Sequence, residues 1–341
     1  MVTYCMRRSS MFQWTLVVLI AVALATPTAV AGEMTFKSIV VFGDSLSDPG
    51  NDFALIKTQN TPPYDNLDPM TIIPHAPYAK GGHHYSNGAT WVEQFAKSRR
   101  MAQYVTPAWQ SSGAKAANYA VGGGRAYDDQ INKNLPQQVG RFLEDVGEHH
   151  APADALYVIE FGGNDIRDAL PFFALGDYTG AFNIIGAALD SIKVNIINLN
   201  NAGASKFLIW NAPDLGLTPA ILTLDSTMPT PPGPGAVIGA VWNLTSHPTF
   251  GFNPNLESLL DYLSVALGIE IKLFNVYQKV HDLVEQHEAY GLEVVNAACV
   301  TPNIPPFDCK EPDEYLFWDG IHPTKTAHGI FAQEVAALLS Q

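Results

Sequence analysis

Short runs of apolar residues alternate along this chain with longer stretches in which apolar residues recur every three or four positions. The short runs, at 37–42, 116–120, 155–161, 206–210 and 292–296, are rich in β-branched and aromatic residues and predict buried strands. The three-to-four spacing at 90–99, 136–146, 182–201 and 256–288, the last interrupted by Gly268, predicts helices. A final helix is expected to begin at Pro323, a residue suited to a first turn, with Ala327, Ile330, Phe331, Val335 and Leu338 along one face. Strand and helix in alternation predict the α/β class, a mainly parallel sheet with helices on both sides. Residues 57–87 and 217–255 break the pattern with Pro, Gly and aromatic side chains, among them Tyr78, Tyr85, Trp242 and Phe250. Loops of that length in a compact domain are usually functional, and their apolar content predicts walls of a substrate cleft.

The amino terminus reads as an export signal. Arg7-Arg8 precedes an apolar run over 16–24, and Ala29-Val30-Ala31 is a small-x-small cleavage site, so residues 1–31 are expected to be removed. The apolar run is short for a membrane span, and the general secretory route fits better than the twin-arginine route. Residues 32–341 then form a single domain of about 310 residues, within the range of one-unit α/β folds. Loss of Arg7 and Arg8 moves the formal charge from −14 to −16. Such an acidic surface is a poor match for nucleic acid and for anionic membranes, and since no later stretch reaches the roughly 20 apolar residues of a span, neither a nucleic-acid partner nor stable membrane insertion is expected. A hydrophobic content of 47% supplies one large core. Cys5 departs with the signal, leaving Cys299 and Cys309 as an even pair in an exported chain, which predicts a disulfide and a secreted or periplasmic location.

The candidate chemistry begins where the first strand stops, at Gly43-Asp44-Ser45-Leu46. A serine at the carboxyl end of a strand lies where open α/β sheets place their ligands, although turns are rich in serine on any account. Three more segments follow in order: Asn118-Tyr119-Ala120-Val121-Gly122-Gly123, Gly162-Gly163-Asn164-Asp165, and Asp319-Gly320-Ile321-His322-Pro323. With the first they resemble the four blocks of the GDSL, or SGNH, hydrolases. Residues 45–51 and 85–88 look most like the branch that holds phospholipase/lecithinase/haemolysin-type and plant lipase-like members.

The resemblance implies a three-layer, flavodoxin-like α/β/α sandwich with about five mainly parallel strands. It implies hydrolysis of a small-molecule or lipid ester without cofactor or metal. Ser45 would be the nucleophile, His322 its base and Asp319 the carboxylate that orients the imidazole. The oxyanion donors would be the Ser45 backbone, Gly123, with Gly122 as the near alternative, and the Asn164 side chain. Asp44 is expected to hold backbone near the turn, and Asp165 to support Asn164 or cap the next helix. A carbohydrate acetylesterase and a non-catalytic lipid- or glycan-binding protein are the alternative readings of the same blocks.

Overall fold

The computed structural model describes residue 1 and residues 33–110, 117–147, 150–230 and 232–341; the expected signal peptide lies outside the described residues. Four strands make the central sheet: β1 (Ser38–Gly43), β2 (Ala155–Glu160), β3 (Lys206–Trp210) and β4 (Glu270–Phe274). They lie in the order β1-β2-β3-β4, and every pairing is parallel. The expected strand at 116–120 is an irregular ribbon beyond β1. Only Asn118 bridges to Val41, yet Val41 N donates to Ala117 O (3.1 Å), Tyr119 N to Val41 O (2.8 Å) and Val121 N to Gly43 O (3.1 Å).

Ten helices accompany the strands among the described residues: α1 (Asn51–Ile56), α2 (Trp91–Ser98), α3 (Leu135–Val146), α4 (Gly163–Ala174), α5 (Tyr178–Ala202), α6 (Pro219–Ser226), α7 (Ala236–Ser246), α8 (Phe252–Leu267), α9 (Val276–Glu285) and α10 (Lys325–Leu339). Alternation along each strand divides the core in two. Val40, Phe42, Tyr157, Ile159, Phe207 and Ile209 face a layer built from α3, α4, α5 and α8. Ile39, Val41, Leu156, Val158, Leu208 and Trp210 face α2, α9 and α10. Each such side chain contributes roughly 1.5–3 kcal/mol on burial, so both layers are needed to hold the sheet. α5 is long and apolar enough to cross a membrane by length and composition, but its Ile185, Ala188, Ile192, Ile196 and Leu199 are buried in the first of these cores.

Four further expectations require correction. The stretch 256–288 is not one interrupted helix, because α8 ends at Gly268, whose φ of 64° is left-handed, and β4 and α9 follow. The strand expected at 292–296 falls at Val294–Ala298 (β5) and leaves the main sheet to pair with Tyr315–Phe317 (β6). The last helix starts at Lys325, since Thr324 caps it by accepting from Ala327 N. Residues 217–255 are largely helical, holding α6 and α7, whereas 57–87 remains irregular.

Candidate active site

Ser45 occupies the turn leaving β1, buried at the carboxyl end of the sheet. Its Oγ lies 2.9 Å from His322 Nε2, and His322 Nδ1 lies 2.8 and 3.0 Å from the Asp319 carboxylate oxygens. A carboxylate only accepts, so Nδ1 carries the proton and Nε2 is left to accept from the serine hydroxyl. Asp319 is fully buried with both oxygens engaged. Oδ1 accepts from Ile321 N (2.9 Å) and His322 N (2.8 Å), and Oδ2 accepts from the Tyr78 hydroxyl (2.9 Å). Burial, and then the neighbouring Asp319 charge, holds the Tyr78 phenol well above its ordinary pKa, so it stays a donor.

The segment that carries Asp319 and His322 is clamped from three sides. Gly320 N donates to Ile72 O (3.1 Å), and Gly320 O accepts from Ala220 N (2.8 Å) at the start of α6. A side chain at position 320 would collide with the Thr71 carbonyl, which explains the glycine. Val300 N donates to Trp318 O (2.9 Å), and Cys299, bonded to Cys309 in a disulfide, is packed with Tyr64, Leu67, Tyr78 and Trp318 in a small core of its own. The disulfide therefore underlies the loop that bears the carboxylate.

The turn after Ser45 is tied to the turn after Tyr119 by Asp48, whose role the sequence reading missed. Its carboxylate accepts from Gly50 N (2.8 Å), Asn51 N (2.6 Å), Asp52 N (3.0 Å) and Gly122 N (2.8 Å). Burial raises its pKa to about 7 against the pull of these backbone bonds. Gly122 N is thus committed to Asp48, whereas Gly123 N has no such bond. Gly123 has a φ of 75°, a conformation that favours glycine, and among the described residues neither its N–H nor that of Ser45 donates to a protein acceptor.

Asn164, in the first turn of α4, completes the group. Its Nδ2 donates to Gly124 O (3.0 Å) and, at longer range, to Asp44 Oδ2 (3.2 Å); its Oδ1 accepts from Arg167 Nη1 (3.0 Å). Asp44 holds Leu46 N (2.9 Å), as expected, and stands beside the buried Glu160 at the end of β2. Burial lifts the Asp44 pKa to about 6, and burial together with Asp44 lifts that of Glu160 well above its ordinary value. Asp165 neither supports Asn164 nor caps α4. It accepts from Ala126 N and Tyr127 N (both 3.1 Å), joining the helix to the chain after the glycine run.

A cleft of about 270 Å³ opens over these groups, with Ser45, Gly122, Gly123, Asn164 and His322 on its floor. Ile73, Pro74, His75 and Tyr85 of the 57–87 stretch form a wall, as expected; Ile56 and Asp52 of α1 adjoin them. Tyr85 is fixed by its bond to Asp52 (2.6 Å) and leans on the His322 ring at a centroid distance of 5.2 Å. No residue of 217–255 lines this cleft, because that stretch has folded into α6 and α7; its Ala220 supports the Asp319 loop from behind. Arg167 reaches the floor three residues after Asn164. Helical i, i+3 spacing was the one signal that could have exposed it.

The model of the GDSL-like lipase/acylhydrolase family matches residues 39–335, nearly the whole described chain and all four blocks. The chain belongs to that family. A GDSL esterase/lipase of Arabidopsis thaliana is 26% identical over 336 residues, covering 89% of this chain and 85% of the relative. A second from the same plant is 24% identical over 337 residues, covering 87% and 88%. Among solved structures, the extracellular lipase of Streptomyces rimosus is 13% identical and covers 87% of this chain and 99% of its own, at a TM-score of 0.38. Family membership makes this GDSL protein a carboxylic ester hydrolase.

Proposed function

We propose that the protein is an exported serine esterase or lipase acting on acyl or lipid esters through an acyl-enzyme on Ser45. The observation that carries the reading is the unbroken chain from Ser45 Oγ through His322 to Asp319, with contacts of 2.9 and 2.8 Å. His322 Nε2 takes the hydroxyl proton as Oγ attacks the ester carbonyl, and Asp319 steadies the imidazolium that results. The negative oxygen is received by the N–H groups of Ser45 and Gly123 and by Asn164 Nδ2, whose 3.2 Å bond to Asp44 is the weaker one it exchanges. His322 then returns the proton to the departing alcohol. Water repeats the sequence in reverse and frees the acid.

Ile56, Ile73, Pro74 and Tyr85 give one wall of the cleft an apolar surface suited to an acyl chain, while Asp52, His75, Arg125, Asn132 and Arg167 make the rest of the lining polar. Trp242 and Phe250, the aromatic residues a carbohydrate acetylesterase would bring to stack on sugar, do not line the cleft. Export accords with the disulfide and with the amino-terminal signal pattern. The test uses 4-nitrophenyl acetate, butyrate and palmitate with wild type and Ser45→Ala. Wild type is expected to prefer a longer chain to acetate, and the variant to lose at least about 10⁴ in kcat. Full activity without the hydroxyl would remove Ser45 from the chemistry.

A further inference from the structure

Arg167 is the one feature of the cleft that this chemistry leaves without a complete role. Its guanidinium lines both openings that meet at Ser45, the larger one beside Gly123 and a smaller one between Leu46, Pro213, Leu215 and Ile321. Only Nη1 is engaged, on Asn164 Oδ1 at 3.0 Å, and among the described residues Arg167 forms no ion pair. Its neighbour Arg125 is the contrast. Arg125 grips Asp168 with two bonds of 2.8 and 3.0 Å, and a second carboxylate, Asp129, stands 3.5 Å away.

A guanidinium withdrawn from bulk water loses hydration that a paired carboxylate normally replaces, and here Asp168, Asp44 and Asp319 act on it only from a distance, without an ion pair. Burial and the adjacent Arg125 charge weaken its hold on the proton, although arginine remains charged. The acids near the floor are engaged elsewhere, including the two that line the smaller opening: Asp44 accepts from Leu46 N and Asn164 Nδ2, and Glu160 accepts from Ser47 Oγ. Asp319 is bound to His322 and Tyr78, Asp52 to Tyr85, and Asp168 to Arg125 and Tyr127. The free fork has the planar, two-pronged geometry that suits a carboxylate or phosphate.

Resting on the esterase reading, we infer that Arg167 is an anion subsite and that the preferred substrates are esters bearing a carboxylate or phosphate within a few bonds of the scissile carbonyl. The negative charge of the whole chain does not oppose this, because exposed acids are screened by salt while Arg167 acts at contact range. The rival role, in which Arg167 only steadies Asn164, slows neutral and anionic esters alike. The two roles differ in a ratio.

Two matched pairs measure it. For charge on the acyl side, mono-4-nitrophenyl adipate is compared with its methyl ester; for charge on the alcohol side, a monoacylglycerol phosphate is compared with the monoacylglycerol. Wild type, Arg167→Met and Arg167→Lys are assayed for kcat/KM on each. In at least one pair, Arg167→Met is expected to lower the anionic-to-neutral ratio about tenfold, with Arg167→Lys recovering part of it. The pair that responds identifies the side on which the anion lies. A ratio changed less than twofold in both pairs, with neutral esters still hydrolysed, would leave Arg167 as a support for Asn164 and overturn the subsite alone. No hydrolysis of any ester by wild type would instead overturn the esterase reading on which it rests.

Discussion

At Asp319, two backbone N–H groups, an imidazole and a phenol converge on a single carboxylate. The phenol is the contact the sequence concealed: Tyr78 lies in an irregular stretch with no motif around it, and only folding carries it to a residue 241 positions away. Removing its hydroxyl deprives Asp319 Oδ2 of a charge-assisted bond, so Tyr78→Phe should lower kcat/KM about three- to tenfold with little effect on KM. Steady-state kinetics on 4-nitrophenyl butyrate checks this, and an unchanged kcat would make Tyr78 a packing residue. Ser45, Asn164, Asp319 and His322 were legible because each sits in a short block whose residue types and order are distinctive. The expected oxyanion glycine was narrowed in the sequence only to Gly123 or its neighbour Gly122. In the structure Gly122 N is bonded to Asp48 Oδ2, which is the difference between the two glycines that the sequence could not supply. Asp48 and Arg167 were missed for a different reason: acids after turns and arginines on helices are ordinary until their partners are known.

The alternation of strand and helix announced a parallel sheet, and the runs at β1, β2 and β3 stood out because both of their faces are buried. β4 did not stand out. Glu-Ile-Lys-Leu-Phe is only half buried at the end of the sheet, and α8 and α9 flank it closely enough for the whole to read as one helix. Gly268 is the break, and its left-handed φ of 64° makes a side chain unfavourable there although no atom lies within 4 Å of where a Cβ would be. Gly140, inside α3, also has open space around it, but its φ is not left-handed. Gly268→Ala should therefore destabilise by about 1 kcal/mol, and Gly140→Ala should stabilise by about 0.5–1 kcal/mol. On a chain of this size the thermal midpoint should move about 1–2 °C, downward and upward respectively. Equal shifts of the same sign by calorimetry would contradict this assignment of the two glycines.

Across the molecule, the two cores fix the sheet, while a third, small core of Tyr64, Leu67, Tyr78, Cys299, Val300 and Trp318 fixes the loop that carries Asp319 and His322. The Cys299–Cys309 disulfide closes a short loop within that third core. Cys299→Ser with Cys309→Ser should cost about 2–3 kcal/mol, lowering the thermal midpoint by about 3–6 °C, and should lower activity as well because Trp318 leads directly into Asp319. A variant with the lower midpoint and full activity at 25 °C would confine the bridge to stability. The pairing was legible from two cysteines left in an exported chain. Its place shortly before Asp319 and His322 was legible from the spacing as well, but the third core around it was not, because β5 and β6 lie outside the main sheet and depend on contacts distant in sequence.

The central claim is that Ser45 carries the acyl group, and its most direct test is the mass of the protein after reaction with a fluorophosphonate ester. One phosphonyl group per chain is predicted, located by digestion to the peptide containing Ser45 and absent from Ser45→Ala. Stoichiometric labelling at another residue, or an active protein that takes up no label, would contradict the account.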